Sequence, residues 1–257
     1  MEHSAATVEK AIDVLFHLHE RAEPWGVSEL SRALKLPKSS VHRLLTALRR
    51  RGLVEHDERG RYRPGIVLLA LGLGVLEREP LVIAARPVLE AAAGELNETF
   101  FVVAARAGTL TVLDKVEGKG FLRAAPHVGQ TIPTEDTAVG RLYLALAPTA
   151  LQTGAALPKL PARTGKARQV ATSEAAKPGA SGERELALVR RRGYAENVAG
   201  WIEGLAVYAG PVFLRTRMVG AIAVALPTPR LTQIDRKVVI KSVVRAAGQV
   251  SARLAGR

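Results

Sequence analysis

Cysteine is missing from all 257 residues, which removes disulfide frameworks, zinc–thiolate sites and cysteine nucleophiles from consideration. Long apolar runs are missing too. The longest, Ile66 to Leu76, is interrupted by Gly72 and Gly74 and is too short to cross a bilayer. The opening Met-Glu-His-Ser-Ala lacks a charged-then-apolar leader, so a soluble, cytoplasmic protein without membrane contact is expected. Asparagine occurs only at Asn97 and Asn197, while arginine far outnumbers lysine. That bias fits a thermophile or a GC-rich genome equally well. The six histidines are His3, His17, His19, His42, His56 and His127; His17 and His19, two apart on a helix, face different ways and make a poor metal pair. Glu135 and Asp136 are adjacent and read either as a carboxylate site or as an acidic loop before a helix start, where acidic residues are favoured. No Ser/His/Asp order, Walker loop, dinucleotide fingerprint or internal repeat appears. No catalytic residue, metal or cofactor is therefore expected.

What is present is positive charge. The formal net charge is +13, which favours a polyanionic partner. Its distribution is less telling. Arg32 to Arg63 holds ten basic and three acidic residues, while Ala150 to Arg192 holds nine and three without any recognition motif. Net charge supports nucleic-acid binding without locating it.

The stretch Val27–Pro64 locates it. Val41, Leu44, Leu45 and Leu48 recur at i, i+3, i+4 and i+7, so one stripe of a helix is apolar and must be buried. The opposite face carries Ser39, Arg43, Thr46 and Arg50, with His42 on its flank. Pro37 suits the first position of this helix and Gly52 the position past its end. Val27, Leu30 and Leu34 form a shorter helix upstream, with Ser28 near its start and only Lys35-Leu36 before Pro37, a tight connection typical of a helix-turn-helix. Leu53–His56 and Arg61–Arg63 flank the turn-rich Asp57-Glu58-Arg59-Gly60 and predict a hairpin wing. In the major groove such a helix would set Ser39, Ser40, His42, Arg43 and Thr46 against base edges and Lys38, Arg49, Arg50, Arg59 and Arg61 near phosphates. The bland alternative is a solvated basic helix on an ordinary helical domain; the tight turn and the wing argue against it.

Around this motif, Val8, Ala11, Ile12, Leu15 and Leu18 predict a first helix, and Trp25 reads as a core plug in the loop after it. Gly65–Glu79 reads as a helix apolar nearly all round, which needs burial on several sides; a second copy of itself is the sensible cover. Pro80 punctuates this linker. Beyond it the pattern predicts helices over Val82–Leu96, Thr137–Ala147, Glu183–Arg192 and from Thr232 to about Leu254, with Asp235 placed as a capping-box partner. Strands are predicted over Thr99–Ala105, Thr109–Val116, Leu205–Phe213 and Val219–Leu226, with an edge strand at Phe121-Leu122-Arg123. Residues 150–182 lose periodicity and read as a poorly ordered insertion with at most one helix. The expected fold class is α+β: an N-terminal winged helix-turn-helix over 1–64, a dimerising linker helix over 65–80, and an α/β domain with an antiparallel sheet over 81–257.

The run Leu-Pro-Lys-Ser-Ser-Val-His-Arg-Leu-Leu-Thr-Ala-Leu, followed by Arg-Gly-Leu-Val-Glu and Gly-Arg-Tyr-Arg-Pro-Gly, resembles the DNA-binding half of the IclR-type transcriptional regulators. Weaker matches follow in the family's order, among them Val-Gly-Gln-Thr-Ile-Pro, Thr-Ala-Val-Gly-Arg and Ala-Gly-Pro-Val-Phe. The resemblance implies a GAF-like effector domain, a homodimer or dimer of dimers, a double-stranded DNA operator and a small-molecule effector. It implies a pocket lined by Phe121, Ala124, Ile132, Ala138, Val139, Leu205 and Val207, together with Asn197, Ala223 and Ala225. Relatives that take small carboxylates usually carry Asp at Asn197, Cys at Val207 and Ser at Ala223 and Ala225. Three of those four positions are apolar here, and burying a carboxylate without donors costs several kcal/mol. The expected ligand is thus apolar or aromatic, with Asn197 and Thr137 offering hydrogen bonds. Trp201 and Glu203 fall in a loop that would cover the pocket. Glu135 replaces a histidine common in the family. Two alternatives remain: a constitutive DNA binder whose pocket is closed, and an enzyme carrying a winged-helix module.

Overall fold

The apolar stripe on the basic segment is the seed of the N-terminal fold. Helix α3, Lys38–Arg50, buries Val41, Leu45 and Leu48 against Val14 and Leu18 of α1 (Glu2–His19), Leu30 of α2 (Val27–Ala33), and Val54 and Tyr62 of the hairpin strands β1 (Val54–His56) and β2 (Tyr62–Pro64). Pro37 sits one position earlier than expected, as the N-cap of α3, where its carbonyl accepts from the amides of Ser40 and Val41. Gly26 caps α2, with Ser28 in its first turn. Gly52 adopts a left-handed φ of 68° and its amide donates to the carbonyl of Arg49, which closes α3 and turns the chain into the wing. Trp25 is more than a plug: its amide and carbonyl exchange two 2.7 Å hydrogen bonds with Tyr62, adding a one-residue third strand to the hairpin.

The computed structural model describes residues 2–119, 126–152, 180–198 and 200–256. They divide into two compact units, one ending at Glu77 and one beginning at Arg78. The linker of the sequence reading is shorter than expected. Helix α4 spans Ile66–Leu76, and Pro80, rather than ending a helix, opens the next, α5 (Pro80–Leu96), with Glu79 capping it. A proline lacks the amide that the first helical position leaves unbonded anyway, so it fits there without loss.

Among the described residues of the second unit six strands form one antiparallel sheet in the order β5-β4-β3-β8-β7-β6. These are β3 (Thr99–Arg106), β4 (Thr109–Val116), β5 (Thr131–Ile132), β6 (Ala195–Val198), β7 (Leu205–Leu214) and β8 (Arg217–Pro227). Both faces are covered. Phe100, Val102, Tyr208, Ile222 and Val224 pack on one side with α5 and with α8 (Arg236–Ala255). Phe101, Val103, Val207, Ala223 and Ala225 pack on the other with α6 (Ala138–Leu146) and α7 (Ala180–Arg192). This double cover is why β3 and β8 are apolar without alternation; a strand needs polar positions only on a face that meets water.

Several boundaries differ from the sequence reading. Strands β5 and β6 were not anticipated, being short and lying at the sheet edges. Thr232 does not start the last helix: residues 228–232 form a short 3₁₀ turn, and Asp235 itself caps α8 through its side chain and the amide of Lys237 at 2.8 Å. At the edges of the anticipated insertion, residues 148–151 make a 3₁₀ turn and α7 begins at Ala180. The rest of it, 153–179, and the anticipated edge strand at 121–123 lie outside the described residues.

Candidate nucleic-acid interface and effector pocket

Burial of the apolar stripe turns the opposite face of α3 outward. Lys38, Ser39, His42, Arg43, Arg49 and Arg50 are exposed, and Ser40 and Thr46 are half-buried at its margin. The Thr46 hydroxyl donates to the carbonyl of His42 at 2.8 Å, which leaves its oxygen lone pairs outward as acceptors. Among the described residues, no ion pair engages Lys38, Arg43, Arg49 or Arg50. A face of unpaired cations is stable in water and is ready for a polyanion, because no internal partner must be displaced.

The wing is organised by two carboxylates. Asp57 accepts from the amides of Arg59 and Arg61 at 3.0 and 2.8 Å, which folds the tip and leaves the Arg59 side chain exposed. Glu29, on α2, accepts from the amide of Gly26 at 3.0 Å and from the guanidinium groups of Arg21 at 2.5 Å and Arg61 at 3.1 Å. The Gly26 amide, then Arg21, hold its carboxyl below the ordinary range. Arg21 also lies 3.8 Å from the centre of the Trp25 ring. Arg61, expected near phosphate, is thus drawn to Glu29. No sequence signal marked Glu29, because its partners come from the loop before α2 and from the wing.

In the second unit one small cavity lies between the sheet and the start of α6. Phe101, Ile132, Thr137, Ala138, Val139, Asn197, Trp201 and Val207 line it. Six of these were expected. Leu205, Ala223 and Ala225 are buried in the same layer without lining the space, although Ala223 pairs with Phe101 and Ala225 with Val207 in the sheet. Phe101 was missed: it follows Phe100, and only the register tells which of the two faces the cavity. Phe121 and Ala124 lie outside the described residues.

The two polar groups expected to meet a ligand are engaged internally. The Thr137 hydroxyl donates to the carbonyl of Pro133 at 2.7 Å and accepts from the amide of Gly140 at 2.9 Å, so it caps α6 and has no hydrogen left to give. The Asn197 side chain donates to the carbonyl of Asp136 at 2.6 Å and accepts from the amides of Gly200 and Trp201 at 3.0 and 3.3 Å. It ties the covering loop to the turn before α6. Glu135 and Asp136 are exposed on that turn, as an acidic approach to a helix start. The remaining free volume is about 10 Å³, at the lower edge of what one water requires. Glu203 is exposed and Trp201 half-buried over the space.

Deeper in this layer the Tyr143 hydroxyl accepts from the amide of Ala105 at 3.0 Å, and burial pushes its pKa up to about 12. It anchors α6 to β3 and stays neutral. Beside β6, Glu196 pairs with Arg192 at 3.1 Å and with Arg236, while Arg141 donates to its carbonyl at 2.8 Å. These contacts hold α6, α7 and α8 around the strand that carries Asn197.

Comparison with known proteins gives a consistent picture. The family described as "IclR helix-turn-helix domain" matches residues 7–58, and "Bacterial transcriptional regulator IclR C-terminal" matches residues 73–252. A probable transcriptional regulator, SauR, from Cupriavidus necator is 30% identical over 232 residues, covering 90% of this chain and 89% of its own. The crystal structure of the Thermotoga maritima IclR covers 98% of this chain and 99% of its own with a TM-score of 0.74 at 22% identity. An IclR homologue from Microbacterium hydrocarbonoxydans, solved with 4-hydroxybenzoate, covers 98% of this chain and 100% of its own with a TM-score of 0.72 at 19% identity.

Proposed function

The chain belongs to the IclR family of bacterial transcriptional regulators, and from that premise we propose how its two parts divide the work. It is a DNA-binding regulator and not an enzyme. Residues 1–64 read DNA, with α3 in the major groove. Ser39, Ser40, His42, Arg43 and Thr46 lie nearest base edges, and Lys38, Arg49, Arg50 and Arg59 nearest phosphates. The observation that carries this assignment is the unpaired cationic face of α3 above a fully buried apolar stripe.

Two copies act together in the cytoplasm. Helix α4 buries none of its residues within one chain, and Ile66, Leu69, Leu71, Leu73 and Val75 are all about half exposed or more. Val8 and Ile12 of α1 are exposed in the same way. Water-exposed apolar side chains at this density call for a partner, and a second copy supplies the matching surface for a dimer, or a dimer of dimers, through the linker region 65–80. Two reading heads on two half-sites then multiply a modest affinity.

Residues 81–257 sense a small molecule in the cavity under Trp201. Apart from Thr137 and Asn197 its walls are aliphatic and aromatic, and of the four positions where acid-binding relatives carry polar groups three, Val207, Ala223 and Ala225, are apolar. The ligand class is apolar or aromatic. The 4-hydroxybenzoate held by a protein of the same fold shares the aromatic ring of that class but adds a carboxylate, which the apolar Val207, Ala223 and Ala225 would not pair. Because the cavity's free volume of about 10 Å³ is too small for an aromatic molecule, binding requires release of the loop from Asn197, and energy coupled to that release is what a ligand can transmit to the operator affinity.

Selection of bound genomic fragments by the purified protein tests the first part. Enrichment of a pseudo-palindrome supports it, and recovery of bulk sequence alone removes it. Thermal-shift screening with aromatic and small acidic metabolites tests the second. The small cavity and the internally bonded Thr137 and Asn197 favour one other reading, a constitutive regulator, which would show no stabilisation by any compound and unchanged operator affinity.

A further inference from the structure

A hairpin of two three-residue strands cannot hold its own direction in water; here β1 and β2 are of that length. Its orientation is set by what it is fastened to. One fastening is the Trp25–Tyr62 pair of 2.7 Å backbone hydrogen bonds. A second is the burial of Val54 and Tyr62 in the core, and a third is Glu29, whose carboxylate gathers the Gly26 amide and Arg21 of the loop before α2 and Arg61 of the wing. Arg61 is correspondingly not a free surface charge. Its Nε is buried, its guanidinium lies 3.1 Å from Glu29, and its amide is fixed by Asp57. Arg59 and Arg63 differ. Arg59 is exposed, and Arg63 is exposed beside Glu55 at 3.2 Å.

We propose that Glu29 is a positioning residue for DNA binding: it clamps the wing at a set angle to the recognition helix and withholds the Arg61 charge from the phosphate backbone. Two consequences follow. Arg61 contributes nothing to counterion release while Glu29 is present, and contributes as an ordinary phosphate contact once Glu29 is neutral. The clamp also sharpens sequence preference, because a wing with one fixed direction admits fewer docked registers than a loose one. The proposal rests on the assignment of α3 and the wing to DNA.

The test is the salt dependence of binding to random-sequence duplex DNA by the full-length protein. Each phosphate neutralised contributes about 0.9 to the slope of log affinity against log salt. Arg61→Ala is expected to leave the slope unchanged in the wild-type background and to reduce it by about 0.9 in the Glu29→Gln background. An equal effect in both backgrounds, whether a drop or none, overturns the proposal. Should Glu29→Gln not fold, the wild-type background decides alone, and a drop of that size there overturns it. The second readout is the ratio of affinities for fragments selected by the wild-type protein and for random DNA. It narrows in Glu29→Gln if the clamp positions the wing, and an unchanged ratio overturns that half. A wild-type protein with no salt-dependent binding would instead remove the DNA assignment, which is a separate failure.

Discussion

The cationic face of α3 and the cavity under Trp201 treat polar groups in opposite ways. On α3 the cations Lys38, Arg43, Arg49 and Arg50 stand exposed, with no ion-pair partner among the described residues. In the cavity both polar side chains are bonded to the chain itself, the Thr137 hydroxyl giving its one hydrogen to Pro133 and the Asn197 amide giving one of its two to Asp136. The cause is solvent. An exposed arginine is satisfied by water and can wait for a phosphate, whereas a buried amide or hydroxyl without a partner costs about 1–3 kcal/mol and must be matched within the fold. A surface that binds a polyanion can therefore be complete before its partner arrives. A buried pocket in its closed state must be undone before it can bind.

The largest effect that would sharpen this contrast is in the support beneath the cationic face. Leu45 is fully buried, and Leu45→Ala should destabilise the N-terminal unit by about 2–5 kcal/mol. Chemical denaturation should then show an early transition for that unit alone; a single transition shifted as a whole would mean that the two units do not melt separately, and an unshifted one that Leu45 does not support the fold. Next is the cationic face itself. Arg43→Ala should weaken binding to selected fragments by about 1–3 kcal/mol if it reads a base, and an equal loss on all DNA would make it a phosphate contact.

In the cavity, Asn197→Ala removes the ties to Asp136, Gly200 and Trp201 and should cost about 1–3 kcal/mol. Hydrogen exchange at the Gly200 and Trp201 amides should accelerate while α3 stays protected. Unchanged exchange at those amides would break the comparison, since the loop would then be held by something other than Asn197. Thr137→Ala loses the cap of α6 and should cost about 1 kcal/mol, read as a lowered melting temperature of the second unit. The smallest effect concerns acid. The Glu29 carboxyl sits below its ordinary 4.5 through the Gly26 amide and Arg21. Its stabilisation is therefore present above the unfolded-state value and is lost as pH falls through the lower folded value. The melting-temperature gap between wild type and Glu29→Gln should close as pH drops below 4.5; a constant gap would mean that the clamp does not depend on the charge.

Much of the N-terminal fold was legible in the residues. The Val41, Leu44, Leu45, Leu48 spacing reports a helical face directly, and Gly52 reports its end. Trp25 and Glu29 were not legible in this way. A one-residue strand has no period, and a carboxylate that joins three segments looks like any other surface glutamate until those segments meet. In the second unit the central strands could be read as strands, but Phe100 and Phe101 are indistinguishable in sequence. The pairing of Phe101 with Ala223 assigns one to the α5 and α8 side and the other to the cavity.

By itself, the order of residues determined the amphipathic cationic helix of the helix-turn-helix, the apolar linker, the strand-rich second unit and the family to which they belong, because each is written in local periodicity or in a contiguous motif. Only the tertiary structure decided that Arg61 faces Glu29, that Trp25 joins the wing, and that Asn197 and Thr137 bond to the chain rather than into an open pocket. Hydrogen bonds and ion pairs between distant segments depend on distances of a few ångströms, and those distances come into being only when the core has packed.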